Sequence, residues 1–233
     1  MSKIPLVLVP GLLCDDALWA PQLEWLSDIA NISVGETQVD NRISAMAERI
    51  LEAAPPRFAL GGLSMGGYVC MEIMHQEPER IERLALLDTS GRADTANQTK
   101  RREALIKLAM IGKFRGVTPR LLPLLIHKDR QTDANLTRTV IEMARRVGQA
   151  GYLRQQTAVM HRPDRRAEMA TYNLPTIVVC GRQDALTPLD LHEEMAGLIP
   201  HARLCLIEEC GHLSTLERAH AVTALMRDWL LRD

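Results

Sequence analysis

The sequence predicts an α/β fold: about six strands in a mainly parallel sheet, with helices on both faces. Three observations predict it. Short apolar runs of strand length recur at residues 4–9, 31–34, 57–60, 84–87, 176–180 and 203–207. Segments with a 3.6-residue apolar period separate several of them. The chain has 233 residues and is 46% hydrophobic, enough to bury one full core.

Residues 4–9 read as the first core strand; the run is too short for a signal peptide and lacks a small-residue cleavage site. Residues 17–28 carry Leu18, Trp19, Leu23, Trp25 and Leu26 at helical spacing. A weak strand at 31–34 follows, then a helix over 41–54 built on Ile43, Met46, Ile50 and Leu51. The run at 57–60 ends in Gly61-Gly62-Leu63-Ser64-Met65-Gly66-Gly67, and a second apolar stretch of helical spacing begins at once. Between Asp88 and Leu174 the alternation breaks. Helical patterns fill the gap at roughly 95–111, 118–127, 132–149 and 151–161, punctuated by Gly112, Gly116, Pro119, Pro123 and Pro163. The expectation is a helical cap, residues 91–171, inserted into a core made of 1–90 and 172–233. Strands at 176–180 and 203–207, each followed by a helix (189–198 and 214–231), complete the pattern.

A net charge of −1 argues against nucleic-acid binding by the whole chain, and no run of 18 apolar residues offers a membrane span. Five cysteines with no CxxC point to a reducing cytoplasm rather than a disulfide framework. Charge is split along the chain. Residues 92–166 hold 17 Lys and Arg against 6 Asp and Glu, and the remainder is correspondingly acidic. The plain reading is a solvated helical surface; the alternative is a site for an anionic partner or substrate.

Gly62-Leu63-Ser64-Met65-Gly66 fits G-x-S-x-G. Alone, that pattern arises by chance in about one chain of this length in ten. Its setting between a strand and a helix strengthens it. A nucleophile elbow forces Ser into a strained turn that lifts its Oγ above the sheet edge, and small neighbours let strand and helix approach. A phosphate-binding loop is excluded because no Lys follows Gly67.

A serine hydroxyl needs a base, and the base needs an orienting acid. Asp184 lies in the loop after the strand at 176–180, and His212 in the loop after 203–207. The order Ser, Asp, His is the one expected on such a scaffold. Each also has a bland reading, as a turn residue and a surface histidine. Asp88, at the end of the run 84–87, is the rival acid. The remaining histidines, including His127, His161 and His192, read as helical or loop-exposed, with His127 and His161 inside the expected cap. An oxyanion hole needs two inward backbone N–H groups. Met65, directly after Ser64, supplies one; Leu12, after the flexible Gly11, supplies the other. No metal site is expected: His192-Glu193-Glu194 lacks the second His of H-E-x-x-H.

With these residues in place the chain resembles the α/β-hydrolase superfamily over nearly its whole length. The resemblance rests on Gly11-Leu12, on G-L-S-M-G-G at 62–67, on G-R-x-D before Thr187-Pro188, and on C-G-H before the last helix. It is most similar to small esterases and their relatives, among them carrier-protein methyl-ester esterases and 3-oxoadipate enol-lactonases. The resemblance implies Ser64 as nucleophile, His212 as general base and then acid, Asp184 as orienting carboxylate, Leu12 and Met65 as oxyanion donors, and no cofactor. Pro10 replaces the usual His before Gly11, which bears on the outer wall of that loop. The expected activity is hydrolysis of small carboxylic esters through an acyl-enzyme. An acidic carrier protein docked at the basic cap, a lactone, a C–C bond substrate, and a silent ligand-binding protein remain open alternatives.

Overall fold

The computed structural model describes residues 3–232. Six strands form one sheet: β1 (Ile4–Val9), β2 (Ala30–Val34), β3 (Phe58–Leu63), β4 (Ile81–Leu87), β5 (Thr176–Gly181) and β6 (Arg203–Ile207). Their spatial order is β2-β1-β3-β4-β5-β6, and every pairing is parallel. Every residue of β3 and β5 is buried, as parallel strands covered on both faces must be. The weakly apolar run at 31–34 forms the edge strand β2, which is only partly buried and so needs less hydrophobicity.

Side chains alternate between two cores. Leu6, Leu8, Leu63, Leu87 and Val179 face one core, and Val7, Val9, Leu60, Leu86 and Val178 face the other. This is the period-2 consequence of the pleat. The first core is closed by α1 (Ala20–Trp25) and α9 (Ala219–Leu231), with Trp19, Met226 and Trp229 buried among them. The second is closed by α2 (Ile43–Ala53), α3 (Met65–Gln76) and α7 (Leu189–Leu198), through Met46, Ile50, Val69, Ile73 and Met195. The pattern at 214–231 breaks at Arg218, separating a short α8 (Ser214–Glu217) from α9.

Between β4 and β5 lie α4 (Ala96–Leu108), α5 (Leu122–Leu125) and α6 (Ala134–Met160), with no strand. A capping box between Thr95 and Gln98 starts α4. The pattern at 118–127 yields only one turn of helix, started by Pro123. The two patterns expected at 132–149 and 151–161 join into α6 across a kink at Gly148, whose φ of 66° only glycine adopts freely. The basic excess of this stretch is partly neutralised by acids of the sheet layer. Arg146 pairs with Asp15 at 2.6 Å, Arg92 and Arg166 with Glu194 at 2.8 and 3.0 Å, and Arg165 with Glu72. No helix among the described residues is long and apolar enough to cross a membrane.

Candidate active site

The strand order reverses at β1: β2 lies on one side of it and β3 on the other. In open α/β sheets such a reversal opens a crevice beyond the carboxyl ends of the two central strands. The loop after β1 carries Gly11 and Leu12, and the turn after β3 carries Ser64. The topology therefore brings Gly11 and Ser64 together across 53 positions of sequence. A Cβ added at Gly11 would stand 3.4 Å from Ser64 Cβ and 3.2 Å from Leu63 O. A side chain at residue 11 would thus press on the turn at Ser64 by a few tenths of an ångström, so Gly11 suits the close approach of the two loops. The sequence suggested freedom of conformation there, and the left-handed residue of this loop is instead Leu13, at φ 61°.

Ser64 sits at φ 56°, ψ −117°, between the last residue of β3 and the first of α3. Such backbone costs on the order of 1–3 kcal/mol and persists only where the surroundings over-determine it. They do so here. Ser64 N–H donates to Leu87 O at 3.0 Å, and Thr89 Oγ1 donates to Ser64 O at 2.7 Å. The glycines make room: a Cβ at Gly62 would meet Cys70 Sγ at 2.6 Å, and one at Gly67 would meet Thr89 Cβ at 2.7 Å. Ser64 itself stays partly exposed.

His212 Nδ1 donates to Asp184 Oδ2 at 2.7 Å, with both side chains buried. Asp184 is saturated: its other oxygen accepts from Leu186 N–H at 2.8 Å and Thr187 N–H at 3.0 Å, and Thr187 Oγ1 adds a bond of 2.7 Å. Burial works to raise the Asp184 carboxyl; the charge and hydrogen bond of His212, with the Thr187 bonds, outweigh it and hold it below the usual range. For His212, burial opposes the imidazolium, but Asp184 and then Asp88 leave it raised. With Nδ1 committed to Asp184, Nε2 is the nitrogen left to accept a proton. Ser64 Oγ and His212 Nε2 make no hydrogen bond of 3.5 Å or less among the described residues, and bonds of this kind commonly close only around substrate.

The rival acid is placed differently. Asp88 caps β4 at φ 43° and is fully buried. Its carboxylate accepts from Gly181 N–H at 2.9 Å and Ser214 N–H at 3.3 Å, not from a histidine ring. It therefore ties the loop bearing Asp184 to the residue two beyond His212. Burial, then the charge of Asp184, pushes Asp88 up to about 8.

A further buried carboxylate, Glu217, escaped the sequence reading. Glu217 accepts N–H bonds from Gly211 (3.0 Å), Leu213 (3.3 Å) and His127 (2.6 Å). Leu125 O accepts from both His212 and Leu213 N–H at 3.1 Å. The chain around α5 is thereby fastened to the histidine loop. His192, read as helical or loop-exposed, lies on α7 and is wholly buried. Its Nε2 accepts from Thr89 N–H at 3.0 Å, and its Nδ1 donates to Pro188 O at 3.2 Å. It thus braces the loop next to the elbow. His127 is also buried, whereas His161 is exposed. Asp88, Cys180 and His192 place one ligand atom each within 4.8 Å of one another. Both His192 nitrogens and both Asp88 oxygens are engaged by backbone groups, and Cys180 Sγ donates to Gly181 O at 3.2 Å. The trio reads as satisfied packing, not as a metal centre.

The remaining candidates are the backbone donors. Met65 N–H opens α3, ahead of the first intrahelical acceptor. Leu12 lies second in a turn closed by Cys14 N–H to Gly11 O at 3.1 Å, and its own N–H has no protein acceptor among the described residues.

A family model for the alpha/beta hydrolase fold matches residues 38–219. A pimeloyl-(acyl-carrier protein) methyl ester esterase of Nitrosomonas europaea is 25% identical, over 89% of this chain and 88% of its own. A thermophilic esterase from Thermogutta terrifontis superposes with a TM-score of 0.88 at 26% identity, over 98% of this chain and 90% of its own. The enol-lactonase of Burkholderia xenovorans shares the fold at a TM-score of 0.88 and 23% identity, over 99% and 92% of the two chains. The sheet, its switch point and the family match agree: this chain belongs to the alpha/beta hydrolase fold family.

Proposed function

We propose that the protein is a serine hydrolase that cleaves carboxylic esters through an acyl-enzyme. The observation that carries the reading is the buried 2.7 Å His212–Asp184 bond beside a strained, partly exposed Ser64. In this reading Ser64 Oγ attacks the ester carbonyl while its proton passes to His212 Nε2. The oxyanion is met by the Leu12 and Met65 N–H groups. The tetrahedral adduct collapses, the C–O bond to the alkoxy group breaks, and His212 protonates the departing alcohol. Water then gives a proton to His212 and its oxygen attacks the acyl carbon, releasing the acid and restoring Ser64. Asp184 holds the imidazole in the tautomer this requires and stabilises its cation. Residues 91–171 form the cap, whose buried Val117, Leu122, Ile126 and Val140 belong to the same apolar cluster as Leu13 and Leu213 of the two site loops. That continuity favours an apolar acyl group.

The test is hydrolysis of p-nitrophenyl esters from C2 to C12, comparing wild type with Ser64→Ala. Turnover with a chain-length optimum, lost in folded Ser64→Ala, is expected. Equal turnover in the variant overturns the assignment.

A second reading, an ester on a carrier-tethered acyl chain, is favoured by the segment 100–120. Lys100, Arg101, Lys107, Lys113, Arg115 and Arg120 have no ion-pair partner among the described residues. Beside them Leu108, Met110 and Ile111 are 45%, 68% and 67% exposed. The Nitrosomonas relative, by its name, acts on such a substrate. Docking to an acidic carrier weakens steeply with salt. Carrier-ester turnover that falls with ionic strength while p-nitrophenyl ester turnover does not supports this reading; equal salt dependence removes it.

A further inference from the structure

We propose that Gln155, on α6, is a positioning residue of the oxyanion hole. The proposal rests on the serine-hydrolase reading above and adds a residue to its machinery. Gln155 is fully buried, 142 residues from the loop it serves. Its Oε1 accepts the Leu13 N–H at 2.9 Å. Its Nε2 donates to Thr37 O at 3.3 Å and Thr37 Oγ1 at 3.4 Å. One carboxamide therefore joins the loop after β1 to the loop after β2, at the carboxyl edge of the sheet.

The bond matters because of what it holds. Leu13 stands third in the turn from Gly11 to Cys14, at φ 61°, a conformation that glycine adopts readily and a leucine does not. Left to itself, the Leu12–Leu13 peptide has reason to flip. A flip carries the Leu13 N–H away from Gln155 and reverses the Leu12 carbonyl; the Leu12 N–H, in the preceding peptide, then loses the fixed Leu12 backbone that aims it. Accepting that N–H in a buried position ties the peptide in one orientation. The two acceptor oxygens of Thr37 hold the amide nitrogen in turn, so its oxygen rather than its nitrogen faces Leu13. Met65 needs no such brace because α3 sets its direction. Leu12 is the donor on a loop, and Gln155 supplies the rigidity the loop lacks.

An oxyanion donor acts on the transition state and leaves ground-state binding largely alone. Gln155→Met keeps the length and bulk and removes the bond; Gln155→Asn keeps the amide and withdraws it by one methylene. Both are measured by steady-state kinetics on the best p-nitrophenyl ester, per active site titrated with a fluorophosphonate, and by inhibition with an aryl trifluoromethyl ketone, which adds to serine to form an oxyanion. Expected are a fall in kcat of about 10- to 100-fold with KM within about threefold, and a rise in the ketone Ki that matches the loss in kcat/KM. Leu13→Gly, which relieves the turn, should recover part of the loss when combined with Gln155→Met. Unchanged kcat and Ki in folded Gln155→Met overturn the proposal, as does a loss confined to KM. If Gln155→Met does not fold, Gln155→Asn decides by the same criteria. Absence of Ser64-dependent turnover in the wild type refutes the serine-hydrolase reading, and this proposal falls with it. Wild-type turnover with an indifferent Gln155 refutes this proposal alone.

Discussion

Gly66→Ala tests the packing that brings the turn at Ser64 to the loop after β1. A Cβ at Gly66 would lie 2.7 Å from Val9 C and 2.9 Å from Pro10 O, and closer still to Val9 O. Ordinary contact begins near 3.4 Å, so α3 and the end of β1 must separate by more than 0.5 Å. Every atom in the way is backbone and cannot rotate aside. Overpacking usually costs about 1–3 kcal/mol, and two rigid segments place this case near the upper end, about 3 kcal/mol. The displaced groups are the same ones that hold Ser64 and Leu12. A misplacement of about 1 Å in a catalytic array costs on the order of 100-fold in rate. Urea unfolding and ester turnover per titrated site measure the two effects separately. Gly197→Ala is the control, since no atom outside its own helix lies within 4 Å of the added Cβ, and alanine there should be neutral or stabilise by up to about 1 kcal/mol. If Gly66→Ala unfolds within about 0.5 kcal/mol of wild type and turns over ester normally, the close approach of β1 and α3 is not as described.

Asp184→Asn should fold and lower kcat by roughly 10³- to 10⁴-fold with little change in KM, because the amide no longer fixes the His212 tautomer or stabilises its cation; a loss below about tenfold would transfer the orienting role to another acid, with Asp88 the first suspect. Asp88 carries a pH prediction. Its pKa is raised in the fold to about 8 from an ordinary 3.8, so its contribution to stability is complete below the ordinary value and is lost as pH rises through about 8. At ~1.4 kcal/mol per pH unit this sets a ceiling of about 6 kcal/mol. Urea unfolding at pH 5 and pH 8.5 should show a decline in wild type that is smaller in Asp88→Asn by at least about 1 kcal/mol; parallel declines in the two proteins would show that Asp88 ionises freely.

Much of this protein was legible because its signals are local. Strand-length apolar runs and the 3.6-residue period gave the α/β alternation, since burial on a pleat or a helix face imposes those periods directly. Gly62 to Gly67 marked the elbow because a strained turn between a strand and a helix tolerates little else. Asp184 and His212 stood out because each follows a strand end in the expected order. What the sequence could not decide were contacts between distant segments. Asp88 and Asp184 are both strand-end acids; only the fold aims one at the His212 ring and the other at backbone N–H groups. Glu217 and Gln155 lie inside the helical patterns at 214–231 and 151–161, where nothing local singles them out. Their roles arise from loops 90 and 142 residues away. Gly11 shows the same division: the sequence marked a special position, but only the tertiary structure assigned it to close approach and moved the left-handed turn to Leu13. Periodicity records which face of an element is buried; which buried polar groups meet is set by how the elements pack.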